Sequence, residues 1–206
     1  PTSGTVSSRP LYVRFSPQST GLKSGSVTVS TSGASNQNIS VSGTGVITST
    51  TWNGSAWSNG NPTAALDAVI SGNYDTNAAA PQGPITAKNL SITSGTLIVG
   101  ANGLEVKETL SKTGGTIDAA AGDITFSGTT AQTLPANFFT NNTIQKLILN
   151  NAAGLTLTGT TNLTGVLDVV SGNLAANGNL ILKSTASGSA RIAAVTGSIT
   201  GEVTVE

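Results

Sequence analysis

The sequence predicts an all-β chain whose larger part is a parallel β-helix, and three observations predict it. The first is a unit written twice, Asn89-Leu90-Ser91-Ile92-Thr93-Ser94-Gly95-Thr96-Leu97 and Val166-Leu167-Asp168-Val169-Val170-Ser171-Gly172-Asn173-Leu174. Each copy runs through alternating apolar positions, a Ser-Gly turn and an apolar residue that resumes the alternation. An Asn-Gly turn, another apolar-x-apolar strand and a lysine then follow, as Asn102-Gly103-Leu104-Glu105-Val106-Lys107 and as Asn177-Gly178-Asn179-Leu180-Ile181-Leu182-Lys183. A strand-turn-strand unit that recurs along one chain stacks, because no single copy buries its apolar face alone. The second is composition: 9% of residues are charged and 4% aromatic, and the polar remainder is Thr, Ser, Asn and Gly, which favours strands and turns over long helices. The third is spacing, since short apolar strands recur too closely for crossover helices to fit between them.

In the first part of the chain, Leu11-Tyr12-Val13-Arg14-Phe15, Ser26-Val27-Thr28-Val29-Ser30 and Asn38-Ile39-Ser40-Val41-Ser42 alternate apolar and polar residues. Each is expected to bury one face and wet the other, as in an antiparallel sandwich. Pro17, Gly21, Gly25 and Gly33 supply the turns. Three strands fall short of the roughly seven of a complete sandwich, so this segment either packs on its neighbour or follows strands that precede it.

Val13-Arg14-Phe15-Ser16-Pro17, Thr20-Gly21, Ser24-Gly25-Ser26-Val27-Thr28-Val29 and Ser40-Val41-Ser42-Gly43-Thr44-Gly45-Val46 resemble the closing strands of immunoglobulin-like domains of the Hydin and choice-of-anchor type. The resemblance covers residues 1–46. It implies a partial immunoglobulin-like module, non-enzymatic, of a large exported or ciliary protein.

Next comes Thr51-Trp52-Asn53-Gly54-Ser55-Ala56-Trp57-Ser58-Asn59-Gly60-Asn61-Pro62, which sets two tryptophans amid turn formers. Two roles suit them. As a cap they would cover the end of a solenoid, whose terminal coil otherwise exposes apolar surface and unpaired strand edges. As platforms, Trp52 and Trp57 would stack the rings of surface glycans.

From Ala65 onward the strands are Asp67–Ile70, Leu90–Ile92, Thr96–Val99, Leu104–Val106, Thr116–Asp118, Asp123–Phe126, Lys146–Leu149, Leu155–Leu157, Leu167–Val169, Leu180–Leu182, Arg191–Ala193 and Glu202–Val205. Coils of roughly twenty residues would place about seven rungs here. Small residues suit the corners, while Leu, Ile and Val stack inside. Asn102, Asn150-Asn151 and Asn177 also suit tight corners, where stacked asparagines can bond as a ladder. A helical turn fits only near Asn137-Phe138-Phe139.

Thr51-Trp52-Asn53-Gly54 with Trp57, Leu66-Asp67-Ala68-Val69-Ile70-Ser71-Gly72-Asn73-Tyr74, Ile85-Thr86-Ala87-Lys88-Asn89-Leu90, Leu147-Ile148-Leu149-Asn150-Asn151-Ala152-Ala153-Gly154-Leu155-Thr156-Leu157 and Gly197-Ser198-Ile199-Thr200-Gly201-Glu202-Val203-Thr204-Val205-Glu206 are similar to repeat-rich passenger segments of surface proteins that Bacteroidota export by the type IX pathway. The resemblance spans most of residues 50–206. It implies an extracellular, adhesin-like region that meets secretion machinery during export and then surface glycans, host or substratum. The sorting domain usual in such proteins is not visible, and Pro1-Thr2-Ser3-Gly4 reads like the interior of a longer chain.

Cysteine, methionine and histidine are absent. That removes disulfides, thiolate metal sites, thiol nucleophiles and Ser-His pairs together. A hydrolase would have to work through carboxylates, and glycosidases need two that converge. The nearest candidates are Glu105 with Glu108 and Asp118 with Asp123. The first two lie an odd number apart and point to opposite faces of a continuous strand; the second two flank the flexible Ala119-Ala120-Ala121-Gly122. Solvated strand ends are the plainer reading of both pairs. Asn73, Asp75 and Asn77 stand at alternate positions, the opening spacing of a calcium loop, without the glycine and distal glutamate that complete one. The other reading is an Asn-rich turn. Thr156-Leu157-Thr158 and Thr160-Thr161 read as β-branched residues on a wet strand face, because one rung of Thr is no ice-binding array.

Nine Lys+Arg balance nine Asp+Glu, so no net field draws in nucleic acid. No apolar run approaches the roughly 18 residues of a membrane span, so no membrane insertion is expected. The expected molecule is therefore a right-handed parallel β-helix over residues 65–206, preceded by part of an immunoglobulin-like β-sandwich over residues 1–46 and a linker or cap over residues 47–64. Its expected role is non-catalytic and structural or adhesive, with no cofactor beyond calcium at Asn73, Asp75 and Asn77. The rival is a carbohydrate-binding or polysaccharide-depolymerising β-helix module.

Overall fold

A computed structural model describes residues 10, 12–14, 19–30, 32–186, 188–193 and 195–206. Leu11 and Phe15, the ends of the first expected strand, lie outside the described residues, as do Pro17 and Pro1-Thr2-Ser3-Gly4; Tyr12–Arg14 are not in a strand. The chain divides into two units, Pro1–Ile47 and Thr48–Glu206. Among the described residues there is no α-helix.

The described part of the first unit holds one antiparallel pair, β1 (Gly21–Val29) with β2 (Gln37–Gly45), and no second sheet. Alternation puts Val27, Val29, Ile39 and Val41 on one side of the ribbon and Ser26, Thr28, Asn38 and Ser40 on the other.

The second unit is a parallel β-solenoid of about eight turns. Its strands follow in chain order as β3 (Ser49–Trp52), β4 (Asp67–Ser71), β5 (Tyr74–Asp75), β6 (Ile85–Ala87), β7 (Leu90–Ser94), β8 (Thr96–Ile98), β9 (Leu104–Val106), β10 (Leu110–Lys112), β11 (Thr116–Gly128), β12 (Gln132–Leu134), β13 (Thr143–Asn151), β14 (Leu155–Leu157), β15 (Thr161–Ser171), β16 (Asn173–Ala175), β17 (Leu180–Leu182), β18 (Arg191–Ile192), β19 (Ser198–Thr200) and β20 (Val203–Val205). A 3-10 turn at Thr140–Asn142 interrupts them, just beyond the expected Asn137–Phe139. The segment read as a linker contains β3, which pairs in parallel with β4 as the first rung.

Three ladders result. Ladder one is a sheet of β3, β4, β7 and β10, followed at the same place in later coils by a sheet of β12, β14, β16 and β19. Ladder two runs through β5, β8, the start of β11, then the starts of β13 and β15, β17 and β20. Ladder three runs through β6, β9, the ends of β11, β13 and β15, and β18. Strands β11 and β13 turn the corner between ladders two and three at register shifts, after Ala119 and after Ile144. Partners along the stack lie from 18 residues apart, Ser49 with Asp67, to 25 apart, Leu174 with Ile199.

Alternation explains the core. Leu90, Ile92, Leu97, Leu104, Ile117, Ile124, Leu147, Leu167, Leu174 and Leu180 all point inward with no exposed surface beyond 1%. Each buried aliphatic contributes about 1.5–3 kcal/mol, and the stack shares that burial between neighbouring coils.

Corners follow two rules. Gly95 and Gly172, the turn glycines of the twice-written unit, have φ of 76° and 84°, a left-handed backbone that glycine adopts without penalty. The expected asparagine ladder gives way to another arrangement: corner asparagines bond to the preceding coil's backbone. Asn177 and Asn179 donate to Leu157 O, and Asn102 donates to Thr76 O.

The two sheets of ladder one are not joined by backbone bonds, and buried side chains bridge the gap instead. Gln132 Nε2 donates to Val106 O and Glu108 O, both at 3.0 Å. Its Oε1 accepts from Asn151 Nδ2 at 2.9 Å, and Asn151 is fully buried. Inside an apolar core such amides hold only because every group finds a partner.

Candidate functional site

Trp52 and Trp57 sit inside the first coils, 1% and 8% exposed, with Tyr74. The ring centroids lie 5.0–5.7 Å apart in tilted and edge-on arrangements, the geometry that aromatic quadrupoles favour. The Trp52 indole N–H donates to Asn73 O at 2.7 Å. Burial holds the Tyr74 hydroxyl above its ordinary pKa, with the Trp57 indole N–H beside it pulling the other way. That N–H is buried and lacks the geometry of a hydrogen bond. Stacking a sugar needs an open ring face, and here each face is covered by another ring or by the coil.

The three residues of the calcium spacing are committed to turns. Asn73 Oδ1 accepts from Thr96 N, Asp75 Oδ1 from Asn77 N, and Asn77 Oδ1 from Asn102 N. Asn73 and Asn77 tie their coil to the next, while Asp75 closes a turn within its own coil. Among the described residues no group of three or more acidic side chains stands close enough to hold a metal.

The candidate carboxylates also part company. Glu108 lies 3.8 Å from Lys88, Asp123 lies 3.5 Å from Lys146, and Asp118 Oδ1 accepts from Ala120 N. Glu105, on ladder three, accepts from Lys107 Nζ at 2.6 Å, Ser127 Oγ at 2.7 Å and Thr86 Oγ1 at 3.3 Å. Burial pushes its carboxyl up, but the Lys107 ammonium and the two hydroxyls outweigh that and hold it below its ordinary value. Depressed this way, Glu105 stabilises the fold above the unfolded value of 4.5, and that contribution is lost as pH falls through the lower folded value. Glu105→Gln is therefore expected to flatten the fall of the urea midpoint as pH drops below the unfolded value of 4.5. An unchanged acid limb would remove Glu105 from this role.

Outward residues are sorted by ladder. Ladder three carries Glu105, Asp123, Lys146, Asp168 and Arg191. The later sheet of ladder one, β12 to β19, carries no charge at all. Its outward column is Thr133, Thr156, Ala175 and Thr200 in register, one rung apart at roughly 4.8 Å. In the earlier sheet the corresponding column is Thr51, Val69, Ser91 and Ser111. The two charges there are occupied: Asp67 accepts from Asn89, and Lys112 donates to Asn137 O and Phe138 O.

No protein-family model, curated protein or solved structure matches the chain. Function has to be read from the surface itself. The uncharged column is its most regular part, and in the sequence Thr156 stands as one wet residue because the rungs that align it with Thr133 and Thr200 are 23 and 44 residues away. Only the register shows the alignment.

Proposed function

We propose that the chain is a non-catalytic, adhesive and structural region of a large cell-surface protein of the type exported by Bacteroidota through the type IX pathway. The first unit would be the remaining strands of an immunoglobulin-like module. The solenoid would be right-handed, as are about 98% of crossovers between parallel strands of one sheet. It would meet secretion machinery during export and surface glycans or substratum afterwards, extracellularly.

The observation that carries this reading is the sorting of outward residues, with small uncharged groups down the later sheet of ladder one and charge on ladder three. A flat column of Thr methyls and hydroxyls, repeated at the strand spacing, matches the alternating apolar and hydroxyl character of a neutral, ordered polysaccharide surface. No desolvated charge opposes that contact. Pairing of Glu105, Glu108 and Asp123 with lysines also supports a non-catalytic role, since acid–base hydrolysis needs a free carboxyl pair.

Sedimentation of the chain with insoluble neutral polysaccharides tests it. Thr133→Lys with Thr156→Lys is expected to weaken binding about tenfold or more, roughly 1.4 kcal/mol, while Asp168→Asn on ladder three leaves it within about twofold. Equal binding by both variants, or none by the parent chain, would overturn the assignment.

A further inference from the structure

Near the turn between ladders two and three, where β13, β15 and β18 run side by side, a groove of about 510 Å³ opens on the solenoid. Thr143, Gln145, Thr164, Gly165, Ser189 and Arg191 line it, with no aromatic ring and no carboxylate. Its volume lies within the range of small-ligand sites.

Arg191 stands apart from the other cations of this unit. Lys88, Lys107, Lys146 and Lys183 each pair with a carboxylate, and Lys112 is held by two carbonyls. Arg191, exposed on β18, makes neither an ion pair nor a side-chain hydrogen bond among the described residues. Gln145 is likewise without a side-chain partner, so the groove presents an unspent guanidinium fork and an unspent amide. Thr143 and Thr164 donate to Asn141 O and Ile144 O, which leaves their oxygens free to accept. The nearby acids are already engaged, Asp123 by Lys146 and Asp118 by Ala120 N.

We infer that this groove binds the carboxylate-bearing sugar of an acidic polysaccharide, a uronate, with Arg191 on the carboxylate and Gln145, Thr143 and Thr164 on the ring hydroxyls. A planar guanidinium matches a planar carboxylate with two parallel N–H donors. Phosphate is the poorer fit, since its sites gather several cations or a nest of backbone N–H groups, and the lining has one cation. The inference rests on the adhesive reading only in taking carbohydrate as the ligand; the groove lies off the ladder-one column, so the two are separable.

The test is calorimetric titration of the whole chain with a galacturonate trisaccharide, its methyl ester and inorganic phosphate. The free acid is expected to bind, and the ester and phosphate at least about tenfold more weakly, since the charge-assisted fork is lost or mismatched. Arg191→Gln should lose about tenfold or more, and Arg191→Lys should recover only part, because an ammonium keeps the charge without the fork. Thermal melts of both variants matching the parent chain show that loss of binding is local, which an exposed position predicts. Retention of uronate binding by Thr133→Lys with Thr156→Lys separates this site from the ladder-one face. The inference is overturned if the parent chain does not bind the free acid, if Arg191→Gln binds as well as the parent, or if phosphate binds as tightly as the uronate.

Discussion

Trp52→Ala is expected to destabilise the solenoid by about 3–5 kcal/mol, the range for truncating a large buried aromatic. The indole is 1% exposed, packs against Trp57 and Tyr74, and spends its N–H on Asn73 O. Truncation leaves a cavity between two rings and an unpaired carbonyl in the next coil. Because each coil touches only its neighbours, the loss should be felt first at the end of the stack. Hydrogen exchange should show β3, β4 and β5 losing protection while β14, β15 and β17 keep theirs. Denaturation in urea, followed by the fluorescence of Trp57, gives the magnitude. A change below about 1 kcal/mol would mean that the aromatic cluster is not what closes this end.

Gly172→Ala comes next in size. At φ 84° an alanine pays a left-handed penalty of about 1–2 kcal/mol. Its Cβ would also stand 1.9 Å from Asn151 O, a backbone atom of the coil below. Backbone has to move, and overpacking of this kind adds about 1–3 kcal/mol. The expected total is about 2–5 kcal/mol, read as a lower urea midpoint at unchanged slope. An alanine variant as stable as the parent would show that consecutive coils are not in contact at this corner.

Strands whose two inward positions are both large aliphatics are legible in the sequence. Leu104–Val106, Leu155–Leu157 and Leu180–Leu182 show the apolar-x-apolar pattern directly, and each is a strand. Those that escaped have a polar or small inward residue, or only one apolar one; in Ile85–Ala87 both ends are buried, but Ala87 is too small to mark the alternation. In Ser49–Trp52 the inward Thr50 is 1% exposed because its hydroxyl donates to Gly60 O at 2.8 Å. In Gln132–Leu134 the inward Gln132 is satisfied by Asn151 and two carbonyls, and in Asn173–Ala175 only Leu174 points inward. A binary pattern reads such residues as loop, since the bonds that permit their burial come from other coils. That is also why about eight turns form where seven rungs were expected.

The candidate surfaces were less legible for a related reason. Which lysine meets which carboxylate depends on register between residues about twenty apart, as with Lys88 and Glu108. Arg191 becomes conspicuous only once those pairs are made. The buried state of Trp52 and Trp57 was one of two readings, and Tyr74, which completes their cluster, carried no mark of it in the sequence.

The twice-written unit turns out to occupy different places in the coil. In the first copy Ser94-Gly95 joins ladder one to ladder two, and Asn102-Gly103 leads into ladder three; in the second Ser171-Gly172 joins ladder three to ladder one, and Asn177-Gly178 leads into ladder two. What recurs is thus a hinge of the wall, indifferent to which wall it turns. A chain built from interchangeable hinges can turn more than one of its walls with the same short sequence. Such a chain grows in height while its sides drift in character, so a charged side and a neutral one can share a single construction rule.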